Sequence, residues 1–161
     1  MSELKLKHLT AVDMILGLEK EATLGARFLN NIGQEITTLA NGLRVVSEDM
    51  PRLQTASLGV WVDVGTRYEP AEVNGVAHML EHMAFKGTRR RSARAIAEEI
   101  ERVGGSLNAY TSREHTAYYA RILADDVGLA ADILADILQH STFDPAELEK
   151  ERHVILQEIG Q

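Results

Sequence analysis

The sequence predicts an α+β protein with a mixed, largely antiparallel sheet and helices packed on one face. Short alternating runs rich in Val, Thr, Ile and Tyr stand beside turn residues, which favours strands joined by hairpins. Longer segments with apolar residues at helical spacing lie between and after these runs. The resulting order, ββ, β, α, α, ββ, α, α, is typical of a sheet covered on one side by helices.

Composition places the chain among ordinary folded proteins. It has 161 residues, 45% of them hydrophobic and 25% charged, so neither disorder nor a membrane-spanning segment is expected. The net charge of -7 argues against a nucleic-acid partner. The chain contains no cysteine, which excludes disulfides and thiolate ligands. Any metal must therefore be held by histidine and carboxylate side chains.

Residues 1–30 are expected to form an extension of unknown role, ahead of a single domain over residues 31–161. Residues 4–20 are compatible with an amphipathic helix. The acidic side chains of this extension interrupt its apolar positions, so we expect no signal peptide, and they also count against a mitochondrial presequence. We therefore expect a cytoplasmic location, with the mitochondrial matrix as the alternative.

Two stretches in the first half of the chain predict β-strands. Asn41-Gly42 separates two β-prone runs and predicts a hairpin from about 35 to 48 with a two-residue turn. The stretch 57–65 alternates in polarity, which predicts a strand whose apolar face is formed by Leu58, Val60, Val62 and Val64.

A second hairpin is predicted after the double glycine at 104. The stretches SLNAYTS, residues 106–112, and HTAYYARIL, residues 115–123, are rich in strand-forming residues. The polar pair Arg113-Glu114 supplies the turn between them.

Four helices are predicted from apolar spacing and end signals. Their ranges and capping residues are 75–85 after Asn74, 93–103 after Ser92, about 126–139 after Asp125 or Asp126, and 145–161 after Asp144. The last start signal is the strongest, because Pro145 follows the cap and Glu147 could return a hydrogen bond to it. The basic run from Lys86 to Arg94, between two helices, is interpreted as a solvated loop.

The helix predicted over 75–85 carries three ionisable side chains in an otherwise apolar sequence. At 100° per residue, His78 and His82 lie about 40° apart and Glu81 lies about 60° from His78, so all three project from one half of the helix. Two imidazoles one turn apart can bind one zinc ion, while the carboxylate accepts a proton from an activated water. The alternative is that the histidines are hydrogen-bonded core residues.

A hydrolytic zinc site usually has a third protein ligand, and the last predicted helix carries carboxylates on one side. Glu151 and Glu158 are seven residues apart and face the same side, together with Glu147. Val154, Ile155 and Leu156 are expected to supply the apolar contacts of this helix. The alternative for the acidic face is a solvated or salt-bridged surface. The remaining histidines are interpreted as surface residues: His8, His115, His140 and His153.

Several motifs in register resemble the pitrilysin-like zinc metallopeptidases of the inverted H-x-x-E-H, or inverzincin, type, specifically their processing-peptidase branch. The resemblance covers about residues 34 to 161, and the matching stretches are ANGLRVV, GVWVDVGTRYE, NGVAHMLEHMAFKGT, GGSLNAYTSREHTAYYA and STFDPAELEKERHVILQEI. It implies a hydrolase that carries out proteolysis as a zinc-dependent metalloendopeptidase, with one Zn²⁺ per chain and polypeptides as substrates.

The resemblance also assigns roles to individual residues. It implies that His78 and His82 are zinc ligands, that Glu81 is the general base, and that Glu158, 76 residues beyond His82 (158 − 82), is the third ligand. Glu151 is implied to support the site without binding the metal. Family members bind substrate as an added strand at a sheet edge, which implies substrate contacts for Asn108, Ala109 and Tyr110.

The resemblance further implies a partner. Family enzymes combine two similar domains, so a second homologous domain or subunit is expected here. The chain ends three residues after Glu158, and we therefore expect a fragment with an incomplete sheet and weak or no activity on its own. The alternative function is a non-catalytic structural or partner subunit of a heteromeric complex. Such relatives generally have degenerate metal motifs, whereas all four key positions are filled here.

Overall fold

The computed structural model describes residues 27–29 and 34–160, which form α-helices and antiparallel strands. The predicted α+β class is confirmed. The chain divides into two compact units, Met1–Gln54 and Thr55–Gln161. The helix predicted over 4–20 lies outside the described residues. Within those residues, no helix combines the length and apolarity that crossing a membrane requires.

The first unit contains a three-stranded antiparallel sheet with the strand order β1-β2-β3. Its strands are β1 (Arg27–Leu29), β2 (Gln34–Thr38) and β3 (Arg44–Glu48). The register from Gln34 opposite Glu48 to Thr38 opposite Arg44 confirms the predicted hairpin.

The turn of this hairpin differs from the prediction. The Leu39 N–H donates to the Leu43 carbonyl at 2.8 Å, and the Gly42 N–H donates to the Leu39 carbonyl at 2.9 Å. The loop therefore contains three residues rather than two. Gly42 has a positive φ of 88°, whereas Asn41 does not and instead accepts a hydrogen bond from the Leu43 N–H. Asn-Gly also suits this longer loop, because only its last position needs a left-handed residue.

The second unit contains another three-stranded antiparallel sheet, with the order β4-β6-β5. Its strands are β4 (Thr55–Val62), β5 (Ser106–Thr111) and β6 (Thr116–Leu123). The predicted hairpin between the last two strands is confirmed. Strand β4 ends at Val62 instead of 65, because its partner β6 begins directly opposite, at Thr116.

The four predicted helices are present with small shifts at their ends. They are α1 (Val76–Ala84), α2 (Ala93–Arg102), α3 (Val127–Gln139) and α4 (Pro145–Ile159). Ser92 caps α2 by accepting from the Ala95 N–H, and Asp144 caps α4 by accepting from the N–H groups of Ala146 and Glu147. The return bond predicted for Glu147 is wrong, because this carboxylate pairs with Lys150.

The cap predicted for α1 is also wrong. Gly75, with φ of 93°, occupies the cap position, and Asn74 ends the preceding 3-10 turn Ala71–Val73. A glycine has no side chain that could satisfy the free N–H groups of the first turn. Their acceptor comes from Glu69, outside the helix.

The core of the second unit lies between one face of its sheet and the helices. Tyr118, Ala120 and Ile122 alternate along β6 and point to this core, as strand geometry requires. The opposite face carries Trp61, which is 62% exposed. The predicted placement of helices on one face is therefore confirmed for this sheet. The buried helix residues of the core are Ala84, Ile96, Ile100, Ala130, Ile133, Leu134 and Ile137.

The basic run after α1 is solvated only in part, since Arg89, Arg90 and Arg94 are exposed but Arg91 is not. The Arg91 side chain is only 9% exposed and pairs with Glu99, Asp132 and Asp136. Asp136 is buried within α3, and it also accepts a hydrogen bond from the Thr88 hydroxyl at 2.7 Å. A buried carboxylate needs such partners, so this network fixes the connection between α1 and α2 against α3.

Candidate metal centre

Helix α1 brings the two predicted histidine ligands together. The Nε2 atoms of His78 and His82 lie 3.1 Å apart, and the two rings meet edge to face. The spacing of four residues places both side chains on one side of the helix. Ala77, Met83 and Ala84 are buried, so the apolar positions of α1 anchor the helix while the imidazoles remain partly accessible.

Helix α4 adds a carboxylate to this pair. Glu158 Oε2 lies 3.4 Å from His78 Nε2 and 3.7 Å from His82 Nε2. Tetrahedral coordination with zinc–ligand bonds of about 2.0–2.1 Å places ligand atoms about 3.4 Å apart. Two imidazole nitrogens and one carboxylate oxygen are also a typical donor set of catalytic zinc sites. The three side chains therefore fit a single zinc ion, with a fourth position left open.

The position of Glu158 follows from how α4 packs. Glu151 and Ile155 are buried, and Glu158 continues the same side of the helix at i, i+4 and i+7 spacing. The apolar contacts predicted for Val154 and Leu156 are wrong, because these side chains are 40% and 56% exposed. Of the three residues, only Ile155 is buried. On the inward side of α4, it is therefore the one apolar residue between Glu151 and Glu158.

Glu151 contacts the His82 ring at Nδ1, the nitrogen opposite the one that faces His78. Its Oε2 atom lies 2.9 Å from His82 Nδ1, and its Oε1 atom lies 2.7 Å from Lys86 Nζ. Burial raises the pKa of Glu151, but the hydrogen bonds from Lys86 and His82 outweigh it and hold the pKa below its usual value. An ionised carboxylate can only accept, so His82 Nδ1 carries the proton. The Nε2 lone pair is then free to bind a metal.

Lys86 is a residue that the sequence interpretation missed. The sequence pattern places it in the solvated basic run, whereas its ammonium group pairs with the buried carboxylate of Glu151. The i, i+4 spacing from His82 to Lys86 is a signal that could have placed both beside one acidic residue. The contact links the end of α1 to α4.

Glu81 differs from the other acidic residues of the centre. It is half-buried, and within the described part of the chain its carboxylate has no hydrogen-bond or ion-pair partner. Burial and the negative charge of Glu81 raise the pKa of Tyr118 to about 12, so the phenol stays neutral. A carboxylate on the same short helix as the two imidazoles, and without a fixed partner, can accept and return a proton.

Glu69 was also missed by the sequence interpretation. Its two carboxylate oxygens accept from the N–H groups of Gly75 and Ala77, each at 2.7 Å. The contact spans six and eight residues, so no short capping pattern signals it. It satisfies two of the four free N–H groups at the start of α1.

The three predicted substrate contacts lie on β5, which pairs only with β6 among the described strands. Since the Ser112 N–H bonds to the His115 carbonyl, strand alternation directs the N–H and C=O of Ala109 toward the open edge. That N–H is 2.8 Å from the Asn108 side-chain oxygen. The side chains of Asn108 and Tyr110 lie on the exposed face.

This open edge runs beside α1. The Thr111 hydroxyl donates to the Ala77 carbonyl at 3.4 Å, which joins the strand to the first turn of the helix. Within the described residues, the hydrogen bonds of Asn108 and Tyr110 go to Ala109 and His115, not to a ligand side chain. The structure thus groups the predicted ligands closely and places the predicted substrate strand next to their helix.

Comparison with known proteins adds three findings. The model of the insulinase family, peptidase family M16, matches residues 44–161. The chain is 57% identical over 126 residues to a probable mitochondrial-processing peptidase subunit beta of Arabidopsis thaliana. It is 50% identical over 122 residues to YmxG of Bacillus subtilis, described as an uncharacterized zinc protease.

A solved structure is also similar. The crystal structure of a protease from Helicobacter pylori matches with a TM-score of 0.73 and 32% sequence identity. That match covers 78% of this chain and 30% of the other. The Arabidopsis and Bacillus matches cover 78% and 76% of this chain but 24% and 30% of those proteins. The chain therefore spans at most about a third of the length of these relatives.

Proposed function

The chain belongs to the insulinase family of peptidases, family M16, and from this premise we propose that it serves zinc-dependent, endopeptidase-type hydrolysis of polypeptides, of the processing kind. The observation that carries the proposal is the convergence of His78, His82 and Glu158, with donor atoms 3.1 to 3.7 Å apart. One zinc ion per chain would be held by these three side chains. Similarity to a protein named as a zinc protease supports the choice of metal.

Each side chain of the centre has a distinct task in this proposal. Zinc, when bound, would act as a Lewis acid that lowers the pKa of the attacking water and polarises the peptide carbonyl. Glu81 accepts the proton released by the attacking water and delivers it to the nitrogen of the leaving amine. Glu151 and Lys86 keep His82 in the tautomer with a free Nε2.

The open edge of β5 is the proposed substrate site. An extended peptide would add a strand there through main-chain hydrogen bonds to Ala109, which is compatible with many peptide sequences. Asn108 and Tyr110 would contact its side chains. Support comes from the contact between Thr111 and Ala77, which sets this edge beside the helix that carries the histidines.

The proposal includes a second domain or subunit that completes the active unit. The Arabidopsis relative is named as a subunit, and the chain spans 24% of that protein. Residues 31–161 would then form the zinc-binding domain, and residues 1–30 an extension. The relatives include proteins named as mitochondrial and a bacterial protein, so both the cytoplasm and the mitochondrial matrix remain compatible locations.

The experiment that tests the function combines metal analysis with peptide cleavage for Glu81→Gln. We expect this variant, in the complete enzyme, to retain about one zinc per chain and to lose about 10²- to 10⁴-fold in kcat, because an amide cannot act as the base. Glu72→Gln, an exposed acid just before α1, is the matched control and should retain activity. Unchanged kcat in Glu81→Gln would exclude Glu81 as the base. Zinc binding without cleavage in the wild type would favour the non-catalytic subunit instead.

A further inference from the structure

The capping of α1 by Glu69 has structural consequences beyond helix stability. Gly75 occupies the cap position but has no side chain that could accept a hydrogen bond. The carboxylate of Glu69 therefore supplies the acceptor for the N–H groups of Gly75 and Ala77. Its negative charge also matches the positive end of the helix dipole. His78 is the third residue of α1, directly after this capped turn. The start of the helix, and with it the position of the first histidine, depends on where Glu69 is held.

Glu69 is held by the turn of the β5–β6 hairpin. The N–H groups of Thr66 and Arg67 donate to the carbonyls of Ser112 and Arg113 at 3.1 and 3.0 Å. The Arg67 guanidinium adds an ion pair with Glu114 at 2.8 Å. These contacts fix the 3-10 turn Thr66–Tyr68, which ends immediately before Glu69.

Gly65 explains how the chain can approach the hairpin so closely. This residue is buried, and a Cβ at this position would lie 2.6 Å from the Arg113 carbonyl. Such a distance is too short for any side chain, so only glycine permits the two backbones to meet. The segment 65–69, which we name the bracket, therefore joins the hairpin turn at one end and α1 at the other.

We propose that Glu69 is a positioning residue that sets α1, and with it His78, against the edge strand β5. The proposal rests on the proposed function, in which α1 holds the metal and β5 the peptide. Within the described residues, one hydrogen bond joins α1 to β5 directly, the long one from the Thr111 hydroxyl to the Ala77 carbonyl, at 3.4 Å. The bracket adds a second, indirect connection: Glu69 bonds to the start of α1 at 2.7 Å, and Thr66 and Arg67 bond to the turn after β5 at 3.1 and 3.0 Å.

The test compares Glu69→Ala and Glu69→Gln with Ser92→Ala in the complete protein. Ser92→Ala is the matched control, because it also removes a side-chain cap at a helix N-terminus, but in α2, which carries no candidate metal ligand. Three properties are measured: hydrogen exchange of α1 amides in the metal-free protein, zinc affinity by chelator competition, and the visible spectrum of the Co²⁺ form. The melting temperature of each variant reports the general loss of stability.

We expect Glu69→Ala to speed exchange in α1, to weaken zinc binding about 10-fold or more, and to shift the Co²⁺ bands. Glu69→Gln keeps one acceptor oxygen and should fall between Glu69→Ala and the wild type. Ser92→Ala should speed exchange in α2 only and leave zinc affinity and the Co²⁺ spectrum unchanged at a similar melting temperature.

Two results would overturn the proposal. One is wild-type exchange in α1 and wild-type zinc affinity in Glu69→Ala. The other is an equal loss of affinity in Ser92→Ala, which would trace the effect to general destabilisation. A wild-type protein that takes up no zinc would contradict the proposed function. The zinc affinity of the wild type alone gives this result, without any variant. The exchange rates of the metal-free protein then still decide whether Glu69 holds α1.

Discussion

His82 has the most completely defined surroundings of the three candidate ligands. One ring nitrogen faces His78 and Glu158, and the other is bound to a carboxylate that Lys86 also holds. The ionised state of Glu151 fixes which nitrogen carries the proton. A metal site built in this way depends on residues that never touch the metal.

Replacement of Glu151 tests this dependence. Glu151→Gln removes the charge that orients His82, and we expect zinc affinity to fall about 10- to 100-fold, measured by chelator competition. Glu147→Gln is the matched control, since Glu147 lies one turn earlier on α4 and pairs with Lys150 outside the centre. Equal affinities for wild type and Glu151→Gln would show that His82 needs no such support.

Asp132 gives a prediction about acid stability. A hydrogen bond from Arg90 lowers its pKa, burial opposes this, and a further bond from Arg91 adds to the lowering. A folded-state pKa below the unfolded value of about 3.9 means that the stabilisation is complete above that pH and is lost as the pH falls through the folded-state pKa. Asp132→Asn should therefore flatten the acid limb of the free energy of unfolding between about pH 2 and 5. If the free energy of unfolding of Asp132→Asn fell with acid as steeply as that of the wild type, this role would be refuted. Asp125→Asn, at an exposed position, is the control and should behave as the wild type.

At the scale of elements, α3 anchors the second unit. Its residues Ile133, Leu134 and Ile137 are almost fully buried and face the β6 side chains of the core. Close packing means that a deleted side chain leaves a cavity that its neighbours fill only in part. Ala84 at the end of α1 belongs to the same core, so the position of α1 relative to the sheet depends on this packing.

Leu134→Ala measures the strength of that core. Leu134 is 0% exposed, so we expect the free energy of unfolding from urea titration to fall by about 2–5 kcal/mol. Leu156→Ala, at a side chain that is 56% exposed, should change it by less than about 0.5 kcal/mol. Similar losses for the two variants would contradict the assignment of α3 to the core.

The helices and strands were predictable because their signals are local. Ser92 and Asp144 cap their own helices, and the four helices were expected within two residues of their observed limits. The cap of α1 failed as a prediction because Glu69 acts from outside the helix. The solvated interpretation of the basic run failed in part for a related reason, since Arg91 pairs with Asp132 and Asp136 on α3, and Lys86 pairs with Glu151 on α4, all far along the sequence.

The candidate site was predictable in part. His78, Glu81 and His82 lie within five residues of one helix, so helical geometry alone places them together. The choice of Glu158 among several carboxylates on α4 came from resemblance to a family, since spacing on that helix left the alternatives open. Glu69 and Lys86 were missed because their roles depend on tertiary contacts.

At the scale of the whole molecule, the second unit brings together α1 with its two histidines, α4 with its carboxylates and the open edge of β5, which come from distant parts of the chain. Helix α1 precedes β5 by about 20 residues and α4 by about 60, as the ranges of these elements give. A substrate strand on β5 would extend the sheet beside the helix that carries the two histidines. The proposed peptide site is therefore made of backbone as much as of side chains.

Ala109→Pro tests the substrate edge. Proline removes the N–H that faces the open edge and with it the bond to the Asn108 side chain, but no bond to β6 is lost. We expect kcat/KM for peptides to fall about 10-fold with zinc affinity unchanged. Ala109→Gly retains the N–H and is the matched control. Full activity in Ala109→Pro would mean that the peptide binds elsewhere.

The central claim is that His78, His82 and Glu158 hold one zinc ion, and anomalous diffraction at the zinc edge from crystals of the metal-loaded protein tests it most directly. We predict a single strong peak within about 2.0–2.2 Å of both Nε2 atoms and of one Glu158 carboxylate oxygen. Glu81 and Glu151 should remain outside the coordination sphere. A peak bound by Glu81 or Glu151 in place of Glu158, or no peak between the two histidines, would contradict the claim.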